Sequence, residues 1–140
     1  MGVPISLVLD CADPLRVGAF WRQALGYQEA DRPDGYASWA EAAAASPAGG
    51  VGYVLTDPDG TRPSLLFQVV PEPQASKNRL HIDIRLSEGA PRPSAEERRR
   101  IDAGVGPLVE LRATVGRRNQ DPDDWFVVLQ DPEGNEFCLV

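Results

Sequence analysis

The chain contains a single histidine, His81, which lies among charged side chains that recur at every second position. Arg79, His81, Asp83 and Arg85 are predicted to share one face of an extended segment. An imidazole with a carboxylate nearby can act as a general base, bind a metal ion, or be a hydrogen-bonded structural group. If this face lines a cavity, His81 and Asp83 are candidate catalytic residues and Arg85 is a candidate ligand-binding residue. If Asp83 instead forms an ion pair with Arg85, His81 would contact a ligand without help from Asp83.

The apolar positions of the same stretch indicate which element holds these groups. Leu80, Ile82, Ile84 and Leu86 occupy the alternate positions. A period of two over eight residues, rich in β-branched isoleucine, is typical of a strand with one buried face and one polar face. The sequence therefore predicts a long strand over residues 79–86.

Two further side chains are candidates for a ligand site. Cys138 lies in phase with Glu136 and Val140 in a predicted last strand, so these three side chains are expected on one face. Its thiol is either reactive or a small buried apolar group. Trp39 lies in a poorly patterned region and is expected to approach a cavity, where it would offer a stacking surface to a flat ligand.

The composition argues against several classes of function. The 140 residues suit one soluble domain, and they carry a net charge of −7. Nucleic-acid binding is not expected, because phosphate neutralisation needs clustered cations without adjacent acids. No apolar run approaches the ~20 residues that span a bilayer, and Cys11 with Cys138 is too few for a disulfide framework. We expect a cytoplasmic protein with no membrane partner.

Capping residues predict two helices. Asp13 and Pro14 begin the first and Gly26 follows its end, which predicts a helix of about three turns. Ser94 with Glu97 forms a capping box for a second helix to about residue 103, which glycines and a proline are expected to interrupt before a further segment over residues 107–113.

Turn residues delimit the predicted strands. The tetrapeptides that begin at Asp57 and Asp131 both read Asp-Pro, then an acid, then glycine, and predict tight turns. Residues 41–45 are either a helical turn or a loop, and residues 89–93 are expected to form a linker. Further strands are predicted over residues 5–10, 36–39, 51–56, 65–70, 125–130 and 136–140.

The order of these elements occurs twice. Ser6 and His81 are 75 residues apart, and Asp57 and Asp131 are 74 residues apart. A repeat of half the chain length implies two modules, about residues 1–74 and 75–140, that form a single domain.

Four motifs carry a resemblance to a known family. They are LDCADP at residues 9–14, FWRQALGY at 20–27, KNRLHID at 77–83 and DPEGNEFC at 131–138. With the repeat, they resemble the vicinal oxygen chelate superfamily, and within it the bacterial glyoxalase-like and bleomycin-resistance-like proteins. The resemblance implies an α+β fold of two βαβββ modules that form a U-shaped mixed-sheet cavity, and it implies a homodimer.

The same resemblance implies where ligands bind. Metal-dependent members carry one metal ligand on the first strand and one on the last strand of each module. Transferred to this chain, those positions are Ser6, His81, Cys138 and, with a loop four residues longer in the first module, Gln68. Serine and neutral glutamine are weak ligands, so no metal and no other cofactor is assigned. His81 with Cys138 could still hold a soft divalent ion such as zinc.

These observations predict a glyoxalase-like protein that binds a small organic molecule between its modules, and they leave open whether it is an enzyme. His81 and Asp83 would act on that molecule without a metal, and the predicted ligand-binding residues are Ser6, Trp39, Gln68, Arg85 and Cys138. One alternative is a non-catalytic protein that sequesters an antibiotic-like compound. The other is a metal-dependent lyase or isomerase that uses His81, Gln68 and Cys138.

Overall fold

The computed structural model describes residues 2–88 and 92–140, and it divides the chain into two compact units, Met1–Pro73 and Gln74–Val140. Each unit contains one four-stranded sheet with helices, so the α+β class is confirmed. The first three residues of the predicted linker, 89–91, lie outside the described residues.

The first unit has the sheet order β1-β4-β3-β2, and its first strand runs parallel to its last. Asp13 caps the first helix by accepting a hydrogen bond from the backbone N–H of Arg16, and Gly26 ends that helix in the left-handed region at φ 67°. The elements are β1 (Ser6–Cys11), α1 (Pro14–Leu25), β2 (Gln28–Glu29), α2 (Trp39–Ala45), β3 (Val51–Thr56) and β4 (Ser64–Val69).

The second unit has the order β5-β8-β7-β6, again with its first strand parallel to its last. Both units therefore have the connectivity of a βαβββ module, and α2 is an addition to the first. The elements are β5 (Ile82–Ile84), α3 (Ala95–Glu110), β6 (Thr114–Asp121), β7 (Asp124–Gln130) and β8 (Glu136–Leu139).

One face of each sheet packs against helices and forms the core of its unit. Helix α1 contacts β3 and β4, and helix α3 contacts β6, β7 and β8. Each buried large apolar side chain contributes about 1.5 to 3 kcal/mol. The opposite face of each sheet is here called its open face. The core residues are Val17, Phe20, Trp21, Leu55, Leu65 and Phe67 in the first unit and Ile101, Val105, Leu108, Val127, Leu129, Phe137 and Leu139 in the second.

The two predicted Asp-Pro turns are confirmed, and each is built around a buried aspartate. Asp57 accepts hydrogen bonds from the backbone N–H groups of Thr61 and Arg62, both at 3.0 Å. Asp131 accepts them from Glu133 and Asn135 at 2.9 and 3.0 Å. Burial acts to raise the pKa of Asp57, but the N–H donors outweigh burial, so the pKa lies below its usual value.

The predicted eight-residue strand around His81 is wrong in its length. Only Ile82–Ile84 form β5, and Leu80 is exposed over 67% of its surface. The pairing with β8 begins at Ile82 opposite Phe137, so the residues before Ile82 have no strand partner that would hold them in the sheet. The alternation continues in sequence, but a strand needs a neighbour for its hydrogen bonds.

Other local predictions also need correction. No strand covers residues 36–39; Ser38 caps α2 instead, and Trp39 is its first residue. Helix α3 is not interrupted by its glycines or by Pro107. Ile101, Val105 and Leu108 lie at helical spacing in the core, and their burial holds the helix together. Strands β2 and β6 were not predicted, since neither shows a clear alternation.

Candidate functional site in the second module

The parallel pairing of β5 with β8 brings candidate residues from distant parts of the chain together. Asp83 lies opposite Cys138 in the register. Phe137 and Leu139 are buried in the core, so the alternation of a strand directs the side chain of Cys138 to the open face.

His81 lies between two carboxylates on this face. Its Nε2 atom is 3.4 Å from Oδ1 of Asp83, and its Nδ1 atom is 3.5 Å from Oε1 of Glu136. The side chain of His81 is 36% exposed, so a ligand can reach the ring. Both ring nitrogens therefore face a carboxylate oxygen.

Glu136 is fixed from the other side by residues that precede β5. Lys77 Nζ is 2.7 Å from Glu136 Oε1, and the side-chain amide of Asn78 donates to the Glu136 carbonyl at 3.1 Å. The hydrogen bond from Lys77 is the main reason that the pKa of Glu136 lies below its usual value, and the charges of Lys77 and His81 add to it. Glu136 is therefore a carboxylate at neutral pH. We call this group of side chains the His81 cluster. Its members are Lys77, His81, Asp83, Glu136 and Cys138.

The thiol of Cys138 is not an activated nucleophile. Burial is the largest cause that raises its pKa to about 11, and the charges of Asp83 and Glu136 raise it further. Lys77 and Arg117 act in the opposite direction without offsetting these effects. The group is therefore a neutral thiol at physiological pH, and it offers a weak S–H donor instead of a thiolate.

Three members of the cluster form a set that fits a divalent ion. The ligand atoms of His81, Asp83 and Cys138 all lie within 4.8 Å of one another. Tetrahedral zinc at 2.0 to 2.3 Å from its ligands would hold them about 3.3 to 3.8 Å apart, so small side-chain rotations would suffice. The mixture of nitrogen, oxygen and sulfur donors suits zinc.

The other predicted site residues are not members of the His81 cluster. Ser6 is at the start of β1, and Gln68 donates from its amide to the Gly49 carbonyl at 2.9 Å. Trp39 is buried, and its indole N–H donates to the Ala30 carbonyl at 2.8 Å. All three belong to the first unit. Arg85 is exposed, and within residues 2–88 and 92–140 it makes no ion pair with Asp83.

The strand registers correct the position assigned to Gln68. Leu55 and Leu129 each lie two residues before the aspartate of their turn; Leu55 pairs with Leu65, and Leu129 pairs with Phe137. The loop of the first module is therefore two residues longer, not four. The counterpart of Cys138 is Leu66, so the first module has no metal-binding side chain at this position.

The open faces of the two sheets consequently differ in chemistry. In the second sheet, Asp83, Cys138 and Val128 lie side by side on neighbouring strands. The same row of the first sheet is Val8, Leu66 and Val54, all apolar. In this row the polar groups belong to the second module, whereas Asp10 and Gln68 pair two residues further along the first sheet.

Glu136 was not among the residues predicted for the site. The sequence does contain a pattern that could have placed Glu136 there. Glu136 lies two residues before Cys138, so the alternation of a strand puts both side chains on one face. Its contact with His81 depends on the parallel partner strand, which alternation alone does not identify.

Comparison with known proteins gives the family. Residues 6–140 match the model of the glyoxalase-like domain family. The chain belongs to this family. Glyoxalase-like domains are part of the vicinal oxygen chelate superfamily, as the motifs predicted. No curated protein matches the sequence of this glyoxalase-like chain.

Solved structures similar to this glyoxalase-like protein share its fold at low sequence identity. A glyoxalase/bleomycin resistance protein/dioxygenase family enzyme from Burkholderia phytofirmans is 16% identical, with a TM-score of 0.63 over 96% of this chain and 94% of the other. A possible glyoxalase from Bacillus cereus is 18% identical, with a TM-score of 0.62 over 100% and 99%. A variant of the fosfomycin resistance protein FosX from Listeria monocytogenes is 9% identical, with a TM-score of 0.65 over 99% and 89%, and its structure holds manganese(II) and a dihydroxypropylphosphonic acid.

In the described part of this glyoxalase-like protein, no helix has both the length and the apolar character needed to span a membrane.

Proposed function

We propose that this glyoxalase-like protein binds a small organic molecule at the His81 cluster and that His81 exchanges a proton with it without a metal ion. The observation that carries this proposal is the placement of the imidazole between Asp83 and Glu136, at 3.4 and 3.5 Å. A histidine held by carboxylates and partly open to solvent has the geometry of a general acid and base.

The members of the cluster would divide the work as follows. Asp83 and Glu136 would orient the ring, while Lys77 keeps Glu136 ionised. His81 would accept a proton from an acidic C–H or O–H group of the ligand, or donate one to a carbonyl oxygen. Cys138, neutral at physiological pH, would contribute packing and a weak hydrogen bond.

Binding to the cluster can be tested with a small-molecule library. Compounds that raise the melting temperature of the wild type should lose most of that effect in His81→Gln and Asp83→Asn. Arg79→Gln is the matched control, because Arg79 is exposed and lies two residues from His81. Hits would then be followed by NMR for conversion in the presence of enzyme. Equal stabilisation of wild type and both site variants by every hit would reject the cluster as the binding site.

The conversion assay also separates an enzyme from a sequestration protein. Compounds that bind at His81 and are recovered chemically unchanged after prolonged incubation with the protein would favour sequestration. A product formed by the wild type and not by His81→Gln would show that conversion requires His81, and the metal analysis below decides whether His81 transfers a proton or binds an ion.

The close approach of three ligand atoms favours a second candidate, a metal-dependent lyase or isomerase. His81, Asp83 and Cys138 would hold the ion. A divalent ion there would act as a Lewis acid on a ligand oxygen. In this candidate Gln68 has no place, since its alignment with Cys138 is wrong by two residues.

Metal analysis distinguishes the two candidates. Mass spectrometry of purified wild type would give about one zinc, manganese, nickel or iron ion per chain if the second candidate holds, and His81→Ala would lose it. Metal at the same level in His81→Ala would indicate binding elsewhere. A wild type that binds no ion after incubation with each would favour the first candidate.

We also propose a cytoplasmic homodimer, as the family resemblance implies. The exposed apolar side chains of Val8 and Val51 on the first sheet support a surface that is covered in solution. Light scattering after size-exclusion chromatography would give twice the chain mass of 15.2 kDa. A mass of one chain at micromolar concentration would reject the dimer.

A further inference from the structure

A hollow lies beside the His81 cluster on the open face of the second sheet. Its volume is about 510 Å³. Two cationic side chains, Lys77 and Arg117, and one carboxylate, Glu136, line it, so the hollow is locally positive in a chain of net charge −7. The remaining lining residues are Thr114, Gly116, Val128, Leu129 and Gln130.

A β-bulge directs Arg117 into this hollow. Val115 pairs with Leu129 and Arg118 pairs with Val127, so Gly116 and Arg117 together lie opposite a single residue of β7. Neighbouring side chains of a regular strand face opposite sides, and an extra residue of this kind re-aims one of them. The bulge therefore places a guanidinium group where regular alternation would not.

The two cations of the hollow differ in their partners. Lys77 is held by Glu136 at 2.7 Å. The guanidinium of Arg117 lies over the ring of Phe126, 5.2 Å from its centroid, and within residues 2–88 and 92–140 it makes no ion pair. The aromatic ring covers one face of the guanidinium and leaves its N–H edge available. Such an edge donates two parallel hydrogen bonds to a carboxylate or a phosphonate.

The hollow and the cluster are close enough for one small ligand to touch both. Glu136 and Lys77 belong to both. Arg117 lies on β6, two strands from Cys138 on β8, which is about 10 Å at the usual strand spacing. Val128 lies between them and offers an apolar surface to the body of the ligand.

We propose that Arg117 is the anion-recognising residue of the site and that its ligand is a small organic acid. The carboxylate or phosphonate binds Arg117, and the rest of the molecule extends over Val128 towards His81. This inference rests on the proposed function and names the substrate class for it.

The experiment uses three probes that share a phenyl ring, and it uses the only imidazole of the chain as reporter. Benzoate and phenylphosphonate carry the two kinds of anionic edge, and benzamide is the uncharged analogue. Because His81 is the sole histidine, its ring protons give a single set of NMR signals in tag-free protein. Titration of each probe is followed by these signals and by isothermal calorimetry.

The matched variants are Arg117→Gln and Arg118→Gln. Both remove one positive charge from β6, but Arg118 pairs with Val127 and does not line the hollow. We expect one or both anions to shift the His81 signals in wild type and Arg118→Gln, and to bind about tenfold or more weakly to Arg117→Gln. Benzamide should bind no better to wild type than to Arg117→Gln.

Each contrary outcome identifies which proposal fails. Failure of both anions to bind at millimolar concentration, or equal affinity for wild type and Arg117→Gln, overturns the role of Arg117. Neutral library compounds that shift the His81 signals in that case would leave the proposed function standing. Absence of any shift from anionic and neutral compounds alike would overturn the proposed function as well.

Discussion

At the scale of single residues, the environment of Cys138 decides what chemistry this site can perform. A cysteine beside the only histidine of a chain suggests a nucleophile, since an imidazolium lowers the pKa of a nearby thiol. Here burial and two neighbouring carboxylates act in the opposite direction and raise its pKa to about 11. The function proposed above therefore gives proton transfer to His81 and not to Cys138.

The alkylation rate of Cys138 tests this electrostatic balance. The thiolate fraction at pH 7.5 should be about 100-fold below that of an ordinary thiol, because burial and the nearby carboxylates raise the pKa from the usual 9.0 to about 11. Iodoacetamide labelling with a chelator present, followed by peptide mass spectrometry, gives the rate against pH. Asp83→Asn should label faster, since it removes a charge that raises the pKa. A half-maximal rate near pH 9 in the wild type would contradict the prediction.

At the scale of elements, two helical glycines have opposite surroundings. A Cβ atom on Gly18 in α1 would lie 2.2 Å from a ring carbon of Tyr53, whereas one on Gly106 in α3 would meet nothing within 4 Å. Alanine favours a helix over glycine by about 0.5 to 1 kcal/mol where there is room for it. The close approach of α1 to β3 removes that gain at Gly18.

These glycines give a matched pair of substitutions. Gly18→Ala should lower the free energy of unfolding by about 1 to 3 kcal/mol through overpacking against Tyr53. Gly106→Ala should raise it by about 0.5 to 1 kcal/mol. Urea denaturation measures both. A stabilising Gly18→Ala would show that the ring of Tyr53 can move aside at little cost.

The capping box of α3 predicts a pH dependence. Backbone N–H groups of Glu88 and Ser94 donate to Glu97 and lower its pKa from the usual 4.5 to about 2. A depressed folded-state pKa gives a contribution that is complete above the unfolded value and is lost as the pH falls from about 4.5 to about 2.

Glu97→Gln should therefore reduce the acid sensitivity of folding. The difference in unfolding free energy between wild type and Glu97→Gln, measured by urea denaturation, should shrink between pH 5 and pH 2.5. Glu96→Gln is the control, since Glu96 is exposed in the same turn of the helix and should show no comparable change. A difference that stays constant over this range would contradict the role of the Glu97 carboxylate.

At the scale of the whole molecule, the repeat gives two turns far apart in sequence the same stabilising interaction. Asp57 and Asp131 are both buried, and both accept backbone N–H donors of their own turn. Removal of either carboxylate would leave those donors unsatisfied, which costs about 1 to 3 kcal/mol.

Asp57→Ala and Asp131→Ala should consequently destabilise the protein by similar amounts. Thermal and urea unfolding would measure the loss, with Asp59→Ala as control because Asp59 is exposed in the first of these turns. A large cost at one turn with none at the other would argue against equivalent roles in the two modules.

The sequence alone determined what depends on neighbours along the chain. The helix caps at Asp13 and Ser94, both Asp-Pro turns, the repeat and hence the family follow from local patterns, because capping and turn geometry involve residues within about four positions. The pairing of His81 with Asp83 belongs to the same class, since the two residues are only two positions apart.

Tertiary structure decided what depends on how strands meet. The parallel partner of β5 brings Glu136 to His81, the registers replace Gln68 with Leu66, and a bulge turns Arg117 towards the open face. Alternation gives the two faces of a strand, but it identifies neither the neighbouring strand nor the point where an extra residue shifts the register. The neighbouring strand and the register are determined by hydrogen bonding and burial between segments up to half a chain apart. These long-range interactions therefore determine which side chains meet at the site.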